Sequence, residues 1–174
     1  MTKQEIQQKL QDNHKTFAEL ILSLNDSDFL FPADGKWTAG QQLDHILRSV
    51  SAVKFGLGLP KFLLLYMLGK ANRPSKEYDA LIAKYKLRLE AGGKAGGRFI
   101  PKPVRPDQKP ELNNKLQKTV AIVCKRINRY SEKQLDNCLM PHPLLGKLTV
   151  REMLYFTIYH AEHHRQQTLR NLGR

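Results

Sequence analysis

The sequence predicts an all-α protein in which four long amphipathic helices form an up-down bundle. Apolar residues recur at helical spacing in four separate stretches, and no stretch shows the alternation that is typical of a strand. Three of the four stretches also begin with a capping-box pattern, a Thr followed three residues later by Glu or Gln. Helix periodicity and helix start signals therefore agree.

Length and composition fit one domain that covers residues 1–174. The chain has 41% hydrophobic and 26% charged residues, which excludes a disordered, collagenous or disulfide-scaffold protein. Its two cysteines, Cys124 and Cys138, form no CxxC pair and no disulfide framework. We expect two inert thiols, and nothing favours an oxidising compartment.

The first two predicted helices each start at a capping box. Thr2 and Glu5 precede the first, which covers residues 3–24, and Thr38 with Gln41 precedes the second. A polar turn with a Pro and a Gly separates them. The apolar stripe of the first helix consists of Ile6, Leu10, Phe17, Leu20, Ile21 and Leu24, and that of the second consists of Leu43, Ile46, Leu47, Val50 and Val53.

An insertion at roughly residues 56–110 separates the second helix from the third. It contains the short apolar stretch FLLLYML (62–68), a helix over about 75–90, and a loop rich in Gly and Pro. The apolar stretch is far shorter than the ~20 residues that span a bilayer, so we expect a buried or interface helix. AGGKAGGR (91–98) lacks the GxxxxGK[ST] order and indicates a helix stop and flexible loop.

The third and fourth long helices complete the predicted bundle. The third begins at Glu111 and carries an apolar stripe to Tyr130, and a polar run and the turn MPHPLLGK follow. The last begins after the capping box of Thr149 and Glu152 and runs to Gly173.

Three of the six histidines lie in HAEHHRQQ on the last helix. His160 and His164 are four residues apart, which places them side by side on the face that points to the core. This spacing allows two imidazoles to bind one metal ion. His163 is turned away from them, and we expect it at the rim.

A metal site needs a third ligand from another helix. His45 is the best candidate because Gln42, Ser49 and Ala52 beside it leave room for an ion, and His14 is the second choice. The alternative is that each histidine is a hydrogen-bonded core residue, since an i, i+4 pair alone is weak evidence. Three buried imidazoles without a shared partner would cost about 1 to 3 kcal/mol each, which favours the metal.

Two regions resemble the signature regions of the DinB-like (YfiT-like) superfamily of metal-binding four-helix bundles. They are Trp37-Thr38 followed by QQLDHILRS, and HPLLGKLTVREML leading into FTIYHAEHHRQQ. The resemblance implies a DinB-like bundle with a helical and loop insertion between helices two and three. It places the family's ligand triad on His45, His160 and His164, and it implies a divalent transition metal, zinc or nickel first, then iron or manganese.

The resemblance also implies a function. Similar proteins transfer a low-molecular-weight thiol such as bacillithiol or mycothiol onto electrophiles, or are proposed metal-dependent hydrolases. We therefore expect a metal-dependent enzyme that acts on a small molecule, by either reaction. For a thiol cofactor, Arg48, Lys54 and Arg165 are candidate contacts to its anionic groups. The alternative is a non-catalytic metal-binding or stress-response module, whose structural ion would take His14 or Glu162 as a fourth ligand.

Charge and apolar surface lead to expectations about partners. The formal net charge is +13, but the cations are spread along the chain and are dense only at 84–88 and 101–109, which favours a solvated surface over a nucleic-acid interface. No targeting segment is recognisable at the start, so we expect a cytoplasmic protein without a membrane partner. The apolar residues 62–68, with Tyr155, Phe156 and Tyr159, predict a homodimer, with packing of the insertion within one chain as the alternative.

Overall fold

The computed structural model describes all 174 residues and confirms the all-α fold class. Its four longest helices, α1 (Lys3–Ser23), α3 (Ala39–Gly58), α6 (Lys109–Ile127) and α8 (Val150–Asn171), form a four-helix bundle. The shorter helices are α2 (Asp26–Leu30), α4 (Lys61–Leu68), α5 (Tyr78–Glu90) and α7 (Glu132–Asn137).

The three predicted capping boxes all form. In each, the Thr side chain accepts a hydrogen bond from the backbone N–H three residues later, and the side-chain oxygen of the Glu or Gln at that position accepts one from the Thr backbone N–H. A fourth box, Ser131 with Gln134, begins α7 and was not predicted. These short-range patterns fix where the helices start.

The first two bundle helices, α1 and α3, lie at opposite corners of the bundle, and so do the last two, α6 and α8. α1 packs against α6 and α8, and α3 packs against the same two helices, so α1 and α3 face each other across the diagonal. The shared interior is one cluster of 33 buried residues. The helix that ends the chain, α8, therefore lies between α1 and α3.

The insertion begins where α3 ends at Gly58 and finishes where α6 starts at Lys109. α4 turns by 103° from α3, α5 packs against α8, and two short 3-10 turns cover Gly97–Phe99 and Pro106–Gln108. No single helix is long and apolar enough to cross a membrane, and α3 and α4 reach that criterion only when the bent pair is taken together.

A two-stranded antiparallel hairpin, which the sequence did not predict, precedes α8. β1 (Leu139–His142) pairs with β2 (Gly146–Thr149). Pro141 interrupts the alternation that would mark a strand, and it is tolerated because both strands of a two-stranded sheet are edges. The turn closes at Gly146, where φ is +76° and glycine is favoured. The hairpin brings His142 beside α8.

Two aromatic residues that were expected to need a partner surface are buried within the chain. Tyr155 and Phe156 are 2% and 7% exposed, because Tyr78 and Tyr85 of α5 cover them with ring centroids 5.7 and 5.0 Å away. Tyr159 is half-buried. The expectation was wrong for Tyr155 and Phe156 because the insertion folds back onto α8.

Candidate metal centre

The bundle brings His45 of α3 together with His160 and His164 of α8. His160 Nε2 lies 3.2 Å from His45 Nε2 and 3.0 Å from His164 Nε2. One ring nitrogen from each of the three lies within 4.8 Å of the others, and all three side chains are buried. We refer to these residues as the histidine cluster.

The nitrogen separations match those around a shared ion. Two imidazole nitrogens at about 2.0 to 2.1 Å from one ion are about 3.3 Å apart in tetrahedral geometry and about 2.9 Å apart at a right angle. The observed 3.2 and 3.0 Å fall between these values. These two separations are therefore those expected of imidazoles that share one transition-metal ion.

Hydrogen bonds on the outer side of the rings fix the direction of two lone pairs. His45 Nδ1 donates to the Phe99 carbonyl oxygen over 2.7 Å, and His164 Nδ1 donates to the side-chain oxygen of Gln42. Both oxygens only accept, so the Nε2 atoms of His45 and His164 present lone pairs to His160. His160 Nε2 can donate at most one hydrogen bond, whereas a cation satisfies all three nitrogens.

Burial keeps the cluster neutral. It is the main cause that lowers the pKa of His45, and it holds the pKa values of His160 and His164 well below 6.5, with the neighbouring histidines adding to the effect. Trp37 packs on the cluster, with its ring centroid 4.8 Å from that of His45. Protons therefore do not compete for the lone pairs at neutral pH.

No fourth histidine or carboxylate joins the cluster. His14 is buried elsewhere, with Nδ1 donating to the Leu10 carbonyl oxygen, and Glu162 binds Arg165 and Gln166. His163 is half-buried and lies beside the cluster, as its expected rim position implies. Neither candidate for a closing fourth ligand reaches the cluster, since the Nε2 atom of His14 is buried without a partner elsewhere and Glu162 is paired with Arg165.

A cavity of about 810 Å³ opens from the cluster. Its lining includes residues of α3 from His45 past Ala52 to Gly56, Leu59 just after α3, and residues of α4 and β1. We call this extension the apolar arm. The apolar arm is lined by Ala52, Val53, Phe55, Gly56, Leu59, Leu64, Met67, Leu68 and Met140.

Cations but no carboxylates line the cavity. Lys36, Lys94, Arg98 and Arg170 lie on its wall, and none of them pairs with an acidic residue. The predicted contacts were different residues and were wrong, because they lie outside this wall and two are already paired. Arg48 binds Asp44, Arg165 binds Glu162, and Lys54 does not line the cavity.

His142 lines the same cavity with a defined tautomer. Its Nδ1 accepts hydrogen bonds from the backbone N–H groups of Leu144 and Leu145, both over 3.1 Å, so Nε2 carries the proton. Burial lowers its pKa to about 4. The side chain both orders the hairpin turn and presents a neutral N–H donor, in keeping with its expected place in the turn.

Sequence reasoning missed two groups that support the cluster. Gln42 was considered only as a residue that leaves room, although it lies three positions before His45 and so shares a helix face with it. Phe99 acts through its backbone carbonyl oxygen, for which no side-chain pattern exists. It lies just after the glycine-rich loop that was expected to be merely flexible.

Comparisons with known proteins agree with this architecture. The sequence model of the DinB superfamily matches residues 9–168. YfiT from Bacillus subtilis, described as a probable metal-dependent hydrolase with an unusual four-helix bundle topology, superposes with a TM-score of 0.63 at 18% identity. The match covers 98% of this chain and 87% of YfiT, and at that identity it shows a common fold. No curated protein sequence matches the chain.

Proposed function

The chain belongs to the DinB superfamily, and on that premise we propose that it is a divalent-metal-dependent enzyme acting on a small molecule. His45, His160 and His164 are the proposed ligands. The observation that carries the proposal is that three neutral imidazoles converge with no fourth protein ligand beside them. Structural zinc sites are closed by four protein ligands, whereas catalytic sites keep one position open.

The ligand set narrows the choice of metal. Imidazole ligands suit zinc, nickel, copper and iron. We propose zinc or nickel first, as the resemblance to the family implies, with iron or manganese as alternatives. A divalent ion supplies Lewis acidity, which lowers the pKa of a coordinated water toward ~7 and deprotonates a coordinated thiol.

The residues around the cluster have roles of their own. His142 Nε2–H donates a hydrogen bond to a substrate oxygen, and the two backbone N–H groups that donate to Nδ1 keep the proton on Nε2. Trp37 packs on the ring of His45 and Phe156 on that of His160, and both line the cavity beside the cluster. Gln42 and the Phe99 carbonyl hold the ring orientation.

We propose hydrolysis as the first candidate reaction, supported by the description of YfiT, which shares the fold. Transfer of a low-molecular-weight thiol is the second. It is supported by the unpaired cations Lys36, Lys94, Arg98 and Arg170 on the cavity wall, which suit an anionic thiol. We also propose a cytoplasmic site of action, supported by the two unpaired cysteines, which fit a reducing compartment.

Metal analysis and a two-arm activity screen test the proposal. Elemental mass spectrometry of the purified protein should find about one divalent ion per chain. The metal-loaded protein is then given simple esters without thiol, and in parallel a panel of thiols with an electrophile. Turnover that disappears with a chelator and returns with metal supports the enzyme, and the arm that responds identifies the reaction. Bound metal with no turnover in either arm would favour the non-catalytic module.

A further inference from the structure

The cavity extends far beyond the space that a reacting group needs at the histidine cluster. Along α3 the lining residues run from His45 to Gly56, a distance of about 17 Å at 1.5 Å per residue. The 810 Å³ volume lies toward the upper end of the roughly 300 to 1,000 Å³ that is typical of sites for drug-sized ligands. The molecule that fills this space is therefore elongated.

The apolar arm has the chemistry of a hydrocarbon site. Small residues of α3, Ala52 and Gly56, line it together with Leu64 and Met67 of α4, and the Met140 side chain of β1 packs directly against Gly56. Methionine side chains adapt to ligands of irregular shape. Ser49 is the only hydroxyl residue of α3 on the wall, and it lies one turn from His45. The arm therefore favours an aliphatic or aromatic chain.

The cluster end of the same cavity is positively charged. Lys36 adjoins Trp37, which packs on His45, and Arg98 adjoins Phe99, whose carbonyl oxygen binds His45. Arg170 follows His164 along α8. The chain has 16 acidic residues, but none of them lines the cavity. Unpaired cations around a low-dielectric cleft raise the local concentration of anions.

We propose that the ligand is an elongated amphipathic anion, with its apolar tail in the apolar arm and its anionic group among Lys36, Arg98 and Arg170. The inference rests on the proposed function, because it specifies the substrate class of that same site. Binding of the tail and of the charge requires no metal, so the two proposals are separated by measuring binding to metal-free protein.

Calorimetric titration of the chelator-treated full chain provides the test. The probes are hexanoate, octanoate and decanoate, with 1-decanol as the uncharged match for decanoate. We expect affinity to rise by up to about fourfold for each added CH2 group. We expect decanol to bind at least about tenfold more weakly than decanoate, with the difference shrinking at high salt. No increase with chain length, or equal binding of decanol and decanoate, would overturn the proposal.

Two matched pairs of variants locate the ligand. Ala52→Phe fills the apolar arm and should abolish decanoate binding, whereas Ala83→Phe places the same side chain on the exposed surface of α5 and should not. Circular dichroism checks that both variants fold. If folded Ala52→Phe binds decanoate as the parent chain does, the tail lies elsewhere and the proposal is wrong.

The second pair tests the anionic group. The double variant Arg98→Gln, Arg170→Gln should bind decanoate about tenfold more weakly and decanol with unchanged affinity. The control is the double variant Lys115→Gln, Lys118→Gln, which removes the same charge from exposed positions of α6 outside the cavity. It should change neither affinity. Equal loss in both double variants would indicate net charge alone and would overturn the proposal. Decanoate binding without turnover of any ester or thiol would contradict the proposed function only.

Discussion

The guanidinium of Arg73 forms two hydrogen bonds with the carboxylate of Glu152, whose side chain is fully buried. The pairs Nη1–Oε1 and Nη2–Oε2 are 2.6 and 3.0 Å apart. The backbone N–H groups of Lys76 and Thr149 donate to the same carboxylate. Glu152 belongs to the capping box of α8, so this contact ties the insertion to the start of the helix that carries His160 and His164.

We predict that Arg73→Ala lowers the free energy of unfolding by about 2 kcal/mol, because it leaves a buried carboxylate with only backbone donors. Urea denaturation measures the loss. Arg105→Ala is the control, since its pair with Asp107 is mostly exposed and its loss should change the free energy of unfolding little. Equal losses in the two variants would show that Arg73 has no special role.

The Glu152 carboxylate should also make the stability of the fold depend on pH. Burial acts to raise the pKa of Glu152, but the hydrogen bonds from Arg73, Lys76 and Thr149 outweigh it and hold the pKa below 4.5. A lowered carboxyl pKa contributes stability above 4.5 that is lost as the pH falls through the folded-state value. The difference in stability between the parent chain and Arg73→Ala should therefore shrink in acid.

We predict that His160→Ala or His164→Ala removes bound metal, whereas His163→Ala retains it, because His163 lies beside the histidine cluster but outside it. Elemental analysis of the purified variants is the measurement. Metal retained by the double variant of His160 and His164 would rule out the site.

Gln42 should matter for the metal although it is not a proposed ligand. Its side-chain oxygen fixes the His164 ring, and loss of such support weakens metal affinity by about 10 to 100-fold. Competition with a chromophoric chelator measures the affinity of Gln42→Leu. Gln8→Leu, an exposed position on α1, is the control and should bind as the parent chain does. Unchanged affinity in Gln42→Leu would mean that ring orientation does not limit binding.

The features that follow from short-range chemistry were predictable from the sequence. Capping boxes depend on two residues three apart, and the i, i+4 spacing of His160 and His164 needs only helix geometry. Both features therefore appear where the sequence placed them. Predicting that His45 lies opposite them required only the assumption that the polar face of α3 that carries His45 points to the core.

The features that depend on long-range packing were not predictable. The contact between His45 and the Phe99 carbonyl joins positions 54 apart and uses a backbone atom, which has no sequence signature. The folding of α5 over Tyr155 and Phe156 is also a tertiary effect, and so is the choice of cations that line the cavity. The hairpin was not predicted because it contains Pro141, and a proline in a short apolar run usually argues against a strand.

His14 should make the protein sensitive to mild acid. Burial lowers its pKa to about 4, so the folded chain leaves it neutral while the unfolded chain protonates it below 6.5. A depressed histidine pKa contributes stability above 6.5 that is lost as the pH falls toward 4, by about 3 kcal/mol at most. His14→Leu in chelator should lose correspondingly less stability over this range, as measured by denaturation at several pH values. Parallel pH profiles for the two proteins would contradict the prediction.

We propose a homodimer that buries the exposed apolar residues of α4. Phe62 is 75% exposed and Tyr66 is 88% exposed, which is unusual for aromatic side chains in one short helix. Light scattering at micromolar concentration should give twice the mass of one chain. Tyr66→Ser should shift the measured mass toward that of a single chain. Leu87→Ser, at an exposed position of α5, should leave the mass unchanged. A single-chain mass for the parent protein would refute the dimer.

The diagonal placement of α1 and α3 has a consequence for how a newly made molecule matures. Two of the three clustered histidines belong to α8, and His160 lies 115 positions after His45. A chain still on the ribosome with its first three bundle helices complete carries one of the three imidazoles and lacks the wall that α8 supplies between α1 and α3. Under the proposed metal role, an ion could therefore be held at this site only after α8 has been translated and has docked.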